Sequence, residues 1–343
     1  MDADPMSHGA PVFTRVHGGP DGAGVPLFDF STNSHACGPC PAAQAAVQQA
    51  DASRYPDAAY ETLRRQLAAF RGVDAQRVLL AGSASEFIFR ITALAVQRGA
   101  TAVWLPPHSY GDYAQAAQAW KLPVVAQPAL AQLRWACDPS SPLGAAHPAL
   151  DQLADPSALC VLDRAYEPLR LEGTLALSDA ALDNFWQLWT PNKALGLTGV
   201  RAAYVIAPPD AGGVVVQLDQ LAPSWPVGAH GVAMLQAWTS PEVQTWLAAS
   251  LATLREWKAR QIALCEVMGW TCLPSAANFF CARPQLPHGM RLPQLLAELR
   301  GQGIKLRDTT SFGLPGQVRM GVLAPAAQDA LHNAWQHIIR KAT

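Results

Sequence analysis

Lysine is scarce in this chain of 343 residues: there are five, at positions 121, 193, 258, 305 and 341, against twenty arginines. Any chemistry that needs an amine nucleophile therefore has few places to reside. Dense Lys/Arg runs and basic-aromatic interleaving are absent, and the formal net charge is −1, so the sequence does not read as a nucleic-acid binder. No run of about 18 apolar residues is present to span a bilayer. The N-terminus, MDADPMSHGAPVFTRVHGG, carries two acids and no apolar core, unlike a signal peptide. These absences lead to the expectation of a cytoplasmic protein with no membrane partner.

Cysteine is also sparse, with seven scattered residues, an odd number that fits reduced thiols better than a disulfide framework. Cys37-Gly38-Pro39-Cys40 spells a thioredoxin-type motif, but it follows the polar stretch STNSHA rather than a buried strand, which argues against redox use. A zinc site on Cys37, Cys40 and His35 lacks a second ligand pair, so no metal is expected.

What the chain does have is hydrophobic residues, half of the total, enough for a large core and two domains. Residues 1–40 read as a Gly-, Pro- and His-rich arm containing one short strand, PLFDFST. From Tyr60 the chain alternates: helix ETLRRQLAAFRG, strand RVLLAG, helix SASEFIFRITALAVQRG, strand TAVWLPP, a helix from about 110 to 120, and strand LPVVAQP. ALCVLDRAY, NFWQLWTPNK and GVRAAYVIAP add further strands, and such alternation predicts a mostly parallel, doubly wound α/β sheet over 41–225. Residues 226–343, with long helices and short strands, predict a smaller C-terminal α+β domain. Among the lysines, 258 and 341 read as lying on polar helix faces, whereas Lys193 lies in a Gly-punctuated connection between two apolar strands.

The segments RYPDAAYETLRRQLA (54–68), GSASE (82–86), PPHSYGDY (106–113), CDPSSPLG (137–144), LDRAY (162–166), PNKALGLTGVRAAY (191–204), ANFF (277–280) and IKLRDTTSFGLPGQVRMGV (304–322) together resemble the class I/II, fold I aminotransferases. Within these the chain is similar to the branch of histidinol-phosphate aminotransferase and threonine-phosphate decarboxylase. The resemblance covers nearly the whole chain. It implies a large domain with a mostly parallel mixed sheet that binds pyridoxal 5′-phosphate (PLP), and a homodimer with shared active sites acting on a small phosphorylated amino acid or amine. Lys193 would be the Schiff-base lysine, Asp163 would face the pyridine nitrogen, and Tyr166 would bond the phenolic oxygen. Tyr110 would stack on the ring. Ser83, Ala84 and Ser85 would receive the cofactor phosphate at a helix N-terminus, with Arg201 adding a guanidinium fork. Tyr55 would reach the phosphate of the neighbouring subunit. Arg319, together with Arg307, would grip an anionic group of the substrate, and Asn33 and His17 would line its phosphate pocket.

Three positions depart from the family pattern: Ser141 stands where an asparagine contacts the phenolic oxygen, Asn192 precedes the lysine in place of Ser or Gly, and Arg164 follows the aspartate in place of glutamate. His17-Gly18-Gly19 with LFDFSTN (27–33), and PSWPVG (223–228), look like the opening and a later segment of threonine-phosphate decarboxylases of cobalamin biosynthesis. Decarboxylation of L-threonine O-3-phosphate is therefore the first expectation. An aminotransferase acting on histidinol phosphate or a related amino acid is the alternative, and a PLP-fold protein that binds with little turnover is the third.

Overall fold

The computed structural model describes residues 17–342. The first sixteen residues of the arm, and with them most of the stretch that argues against a signal peptide, lie outside the described residues.

A seven-stranded sheet carries the first layer. Across it the strands run Val78–Ala81, Ala203–Ile206, Trp186–Trp189, Leu159–Asp163, Leu133–Cys137, Val103–Trp104, Val124–Val125. Ala203–Ile206 is antiparallel to both of its neighbours, and the other pairings are parallel. The sheet is thus mostly parallel and mixed, as the resemblance implies, with the antiparallel strand near one edge. Strands that are apolar at every position, such as Val78–Ala81, are buried on both faces, as helix-covered sheets require.

The helix Ala84–Gln97 shows how sequence sets one such cover. Ser83 caps it by accepting from Glu86 N, while Glu86 Oε2 accepts from Gly82 N, a reciprocal start that satisfies two amides. Phe87, Ile88, Ile91, Leu94 and Ala95 recur on one helical face and are buried against Leu79, Trp135, Val161 and Leu188 of the sheet.

The second layer is a four-stranded antiparallel sheet ordered Arg307–Asp308, Val318–Gly321, Phe279–Arg283, Thr271–Cys272. The 27-residue helix Pro241–Val267 and the helix Pro325–Ala342 accompany it. Lys258 does not sit on a polar face as expected. It is buried, and its Nζ donates to Glu172 Oε1 and to the Ser275 carbonyl, because the long helix is covered by protein on that side as well. The division expected at 225 and 226 falls just before helix Ala229–Trp238, which packs on helices Pro41–Gln48 and Glu61–Arg71 of the first layer.

The arm ties the layers together. Phe28–Asp29 pairs in parallel with Ile304–Lys305, Gly321 N donates to the Phe30 carbonyl, and His35 N donates to the Lys193 carbonyl.

Candidate active site

The sheet delivers several functional side chains to one place because parallel strands all end on the same edge. Asp163 ends Leu159–Asp163, Cys137 ends Leu133–Cys137, and Thr190 follows Trp186–Trp189. Lys193 stands one turn further on, in a loop closed by Leu195 N to Pro191 O and Leu197 N to Asn192 O.

A cavity of about 200 Å³ opens there, and its wall includes Ser83, Ala84, Ser85, Tyr110, Ser141, Asp163, Tyr166, Lys193 and Arg201. Every cofactor-contacting residue expected from sequence is therefore brought together except Tyr55. That side chain is 78% exposed, stacks on Trp225 with centroids 4.4 Å apart, and does not line the cavity of its own chain.

The electrostatics have a clear direction at the cavity floor. Asp163 is buried and accepts from Tyr113 Oη at 2.7 Å and from Ala165 N at 2.9 Å. Burial pushes its carboxyl up, while the Tyr113 bond and the charge of Lys193 pull it back. Tyr113 was not anticipated as a site residue. It lies three positions after Tyr110 on the helix Gly111–Ala119 and stacks on Trp135 with centroids 4.4 Å apart, which fixes its hydroxyl under the carboxylate.

Lys193 Nζ is 3.4 Å from Thr190 Oγ1 and 5.4 Å from the Tyr166 ring centroid, and it makes no ion pair among the described residues. Tyr166 Oη accepts from Asn33 Nδ2 at 3.2 Å, so its own proton is left to point into the cavity. Tyr110 Oη and Ser85 Oγ are 3.3 Å apart, and burial raises the Tyr110 phenol. Ser83, Ala84 and Ser85 stand at the start of the helix Ala84–Gln97, where the first amides lack intrahelical acceptors and the dipole is positive. Arg201 faces them from the exposed rim without an ion-pair partner among the described residues.

A second cavity of about 390 Å³ shares Tyr110, Ser141 and Tyr166 with the first. His17, Arg307 and Arg319, three of the residues expected to hold substrate, line it together. The two arginines face each other across paired strands and flank Phe312, with guanidinium carbons 4.8 and 5.6 Å from its ring centroid. Burial, and then the neighbouring Arg319 charge, lowers Arg307. Asn33, expected in the same pocket, is not among the residues lining this cavity: it is buried behind Tyr166, where its Nδ2 donates to the Tyr166 hydroxyl and its Oδ1 has no partner among the described residues.

The departures separate in the structure. Ser141 and Asn192 line the first cavity, and Asn192 Oδ1 has no hydrogen-bond partner. Arg164 turns away: its guanidinium lies 4.2 Å from the Trp189 centroid and pairs with Glu167, and burial brings it down to about 10. The CGPC motif does open a helix, with Cys40 at the cap of Pro41–Gln48, yet no buried strand precedes it and burial raises the Cys37 thiol. No metal-binding cluster of His, Cys, Asp or Glu occurs among the described residues.

A family model for aminotransferase class I and II matches residues 25–338. The chain belongs to this family. It is a PLP-dependent enzyme of the aminotransferase class. Among similar curated proteins, histidinol-phosphate aminotransferase of Symbiobacterium thermophilum is 26% identical over 87% of either chain. Histidinol-phosphate aminotransferase 1 of Bordetella parapertussis is 27% identical over 91% of this chain and 92% of that one. Among solved structures, histidinol-phosphate aminotransferase of Sinorhizobium meliloti in complex with PLP superposes with a TM-score of 0.77 at 23% identity, covering 91% of this chain and 90% of that one. L-threonine-O-3-phosphate decarboxylase of Porphyromonas gingivalis gives the same TM-score, 0.77, at 20% identity, covering 92% of this chain and all of the other. Both superpositions bear on the fold. No described helix is long and apolar enough to cross a membrane.

The donor set fits PLP. A buried carboxylate with no cationic ion-pair partner among the described residues, a lysine amine, a phenol with its proton toward the cavity, and a helix N-terminus beside an arginine all line one cavity. These complement the ring nitrogen, aldehyde, phenolic oxygen and phosphate of the cofactor in turn.

Proposed function

We propose that the chain is a PLP-dependent aminotransferase whose amino donor is a small amine or amino acid bearing a phosphate ester, of the histidinol phosphate type. The observation that carries the reading is that the Lys193–Asp163 cavity shares Tyr110, Ser141 and Tyr166 with a second cavity lined by Arg307 and Arg319. The names of the curated relatives support transamination over the decarboxylation expected first from sequence.

When bound, PLP supplies an electron sink for the charge that develops at the substrate Cα. The protein's own contributions are positional and protonic. Asp163 Oδ holds the proton on the ring nitrogen, and its burial strengthens that pairing by excluding water. Lys193 Nζ would take the proton from the substrate Cα and deliver it to the aldehyde-derived carbon of the cofactor, the proton transfer that transamination requires. Tyr166 Oη donates to the phenolic oxygen, oriented by Asn33 Nδ2. Ser83, Ser85, the first-turn amides and Arg201 hold the cofactor phosphate. Arg307 and Arg319 hold an anion of the substrate, and the bidentate fork of a guanidinium suits a carboxylate or a phosphate. The exposure of Tyr55 beside Trp225 supports a homodimer in which this side chain serves the site of a second copy.

Decarboxylation of threonine phosphate is the second reading, favoured by the His17-Gly18 opening of the arm, which stands in the wall of the substrate cavity. The enzyme with PLP is to be incubated with histidinol phosphate plus 2-oxoglutarate, and separately with threonine phosphate. Glutamate formed only in the first mixture is the expected result. Carbon dioxide released from the second, without glutamate in the first, overturns transamination in favour of decarboxylation.

A further inference from the structure

His35 is buried and lines neither cavity of the site, yet its backbone is bonded to the loop of the reactive lysine and its ring to the long helix. Its backbone N–H donates to the Lys193 carbonyl at 3.0 Å. Two residues on, Cys37 N donates to His35 Nδ1 at 3.1 Å, so that ring nitrogen is an acceptor. At the other side, Nε2 lies 2.8 Å from Ser250 Oγ, and the Ser250 hydroxyl donates its own proton to the Leu247 carbonyl at 2.8 Å. Ser250 Oγ can then only accept, and Nε2 must carry the hydrogen. The ring is thus neutral, held in one tautomer by two partners and packed on Trp246 with centroids 4.7 Å apart. Burial agrees, bringing the imidazole down to about 4.

Ser250 and Trp246 belong to the helix Pro241–Val267, and the same helix holds the strand of Arg319. Gln261 Nε2 donates to the Gly321 carbonyl, and Gln261 Oε1 accepts from Leu323 N. On the lysine side the contact is equally tight. Cys40 N donates to the Leu195 carbonyl at 2.8 Å, and a Cβ on Gly196, whose φ is +68°, would stand 2.8 Å from Pro39 Cα. One segment, 35–40, therefore presses the Lys193 loop from behind and is fastened by one side chain to the helix that carries the arginine strand.

We infer that His35 is a positioning residue: through its Nε2–H bond to Ser250 it locks the Lys193 loop to the long helix and sets where Lys193 Nζ stands. The inference rests on the reading of Lys193 as the cofactor lysine. It assigns the effect to the Nε2 side of the ring, not to the Nδ1 bond that merely closes a local turn.

Amide replacements separate the two sides. In His35→Gln the side-chain NH2 can reach Ser250 as Nε2–H does, whereas in His35→Asn the shorter amide oxygen replaces only the Nδ1 acceptor. Ser250→Ala removes the acceptor on the helix with a smaller lesion. The holoenzyme and each variant are to be compared by kcat and KM, by the visible absorbance of bound cofactor titrated against pH, and by thermal unfolding. Expected are a fall in kcat of about tenfold or more for His35→Asn and Ser250→Ala with KM little changed, since small misplacements of a reacting group are costly. The absorbance titration should shift in both, and His35→Gln should restore both readouts. Thermal destabilisation with kcat and the titration unchanged would mean a structural role only and overturn the inference, as would rescue by Asn in place of Gln. Absence of any lysine-dependent absorbance in the unsubstituted enzyme would instead overturn the reading of Lys193, so the two failures are distinguishable. If neither His35 variant folds, Ser250→Ala alone decides.

Discussion

Tyr113→Phe removes one hydroxyl and almost nothing else, which makes it a clean probe of the carboxylate at the cavity floor. Tyr113 is 1% exposed, its Oη donates to Asp163 Oδ2 at 2.7 Å, and its ring keeps the stack on Trp135 in the variant. A hydrogen bond to an ionised partner contributes about 1.5–3 kcal/mol, and one between neutral groups about 0.5–1.5 kcal/mol. The sign with pH follows from Asp163, whose carboxyl is raised in the fold chiefly by burial. A raised folded-state value contributes stability below the ordinary carboxylate range, and that contribution is lost as pH rises through the raised value. The cofactor-free protein at neutral pH therefore bears the cost of an ionised, buried Asp163 that Tyr113 offsets. Without the phenol, Asp163 rises further and the loss of stability moves to higher pH. Urea denaturation of the cofactor-free protein should show Tyr113→Phe less stable by about 1.5–3 kcal/mol at neutral pH, shrinking to the neutral-pair value in acid. An equal difference at both pH values, or none, would refute the assignment of the bond to a charged carboxylate.

Arg201→Ala should weaken PLP affinity by about tenfold to a hundredfold, the loss of one charge-assisted contact, measured by cofactor fluorescence at equilibrium; an unchanged affinity would remove Arg201 from the phosphate site. Arg319→Lys should raise KM for the phosphorylated substrate while leaving bound-cofactor absorbance intact, because the ammonium keeps the charge and loses the fork. In Gly18→Ala the new Cβ would stand 2.1 Å from the Ser31 carbonyl, beside the bond from Arg319 Nη2 to that oxygen. Displacement of the arm should cost about 1–3 kcal/mol, and steady-state kinetics should show it mainly in KM.

Much of the site was legible because its residues sit where strands and helices begin or end. Asp163 closes an apolar run, Ser83 opens an amphipathic helix beside a glycine, and Lys193 lies between two strands in a sequence nearly devoid of other candidates. Tyr113 escaped notice since nothing in a helical tyrosine says which strand end lies beneath it. The inward turn of Asn33 to Tyr166 was hidden for a related reason, since its neighbour Thr32 lines the first cavity and nothing in the run STN says which side chain points where. Lys258 misled because a lysine in a long helix reads as solvated, and only the tertiary cover over Ser275 buries it. The antiparallel course of Ala203–Ile206 was likewise hidden, as an apolar run has no direction until its partners are known. The two-residue strand Thr271–Cys272 leaves too short a pattern to be read, whereas the run LPVVAQP still marked Val124–Val125. Under the proposed function, the balance between transamination and decarboxylation would lie in how a substrate is oriented against Arg307 and Arg319, which side-chain identity does not encode.

The central claim is that Lys193, alone among five lysines, binds the cofactor. Borohydride reduction of the PLP-loaded enzyme, followed by proteolysis and mass spectrometry, tests it directly. The expected result is a pyridoxyl adduct on the peptide containing Lys193, absent in Lys193→Ala. An adduct on Lys121, Lys258, Lys305 or Lys341, or none on Lys193, would contradict the account.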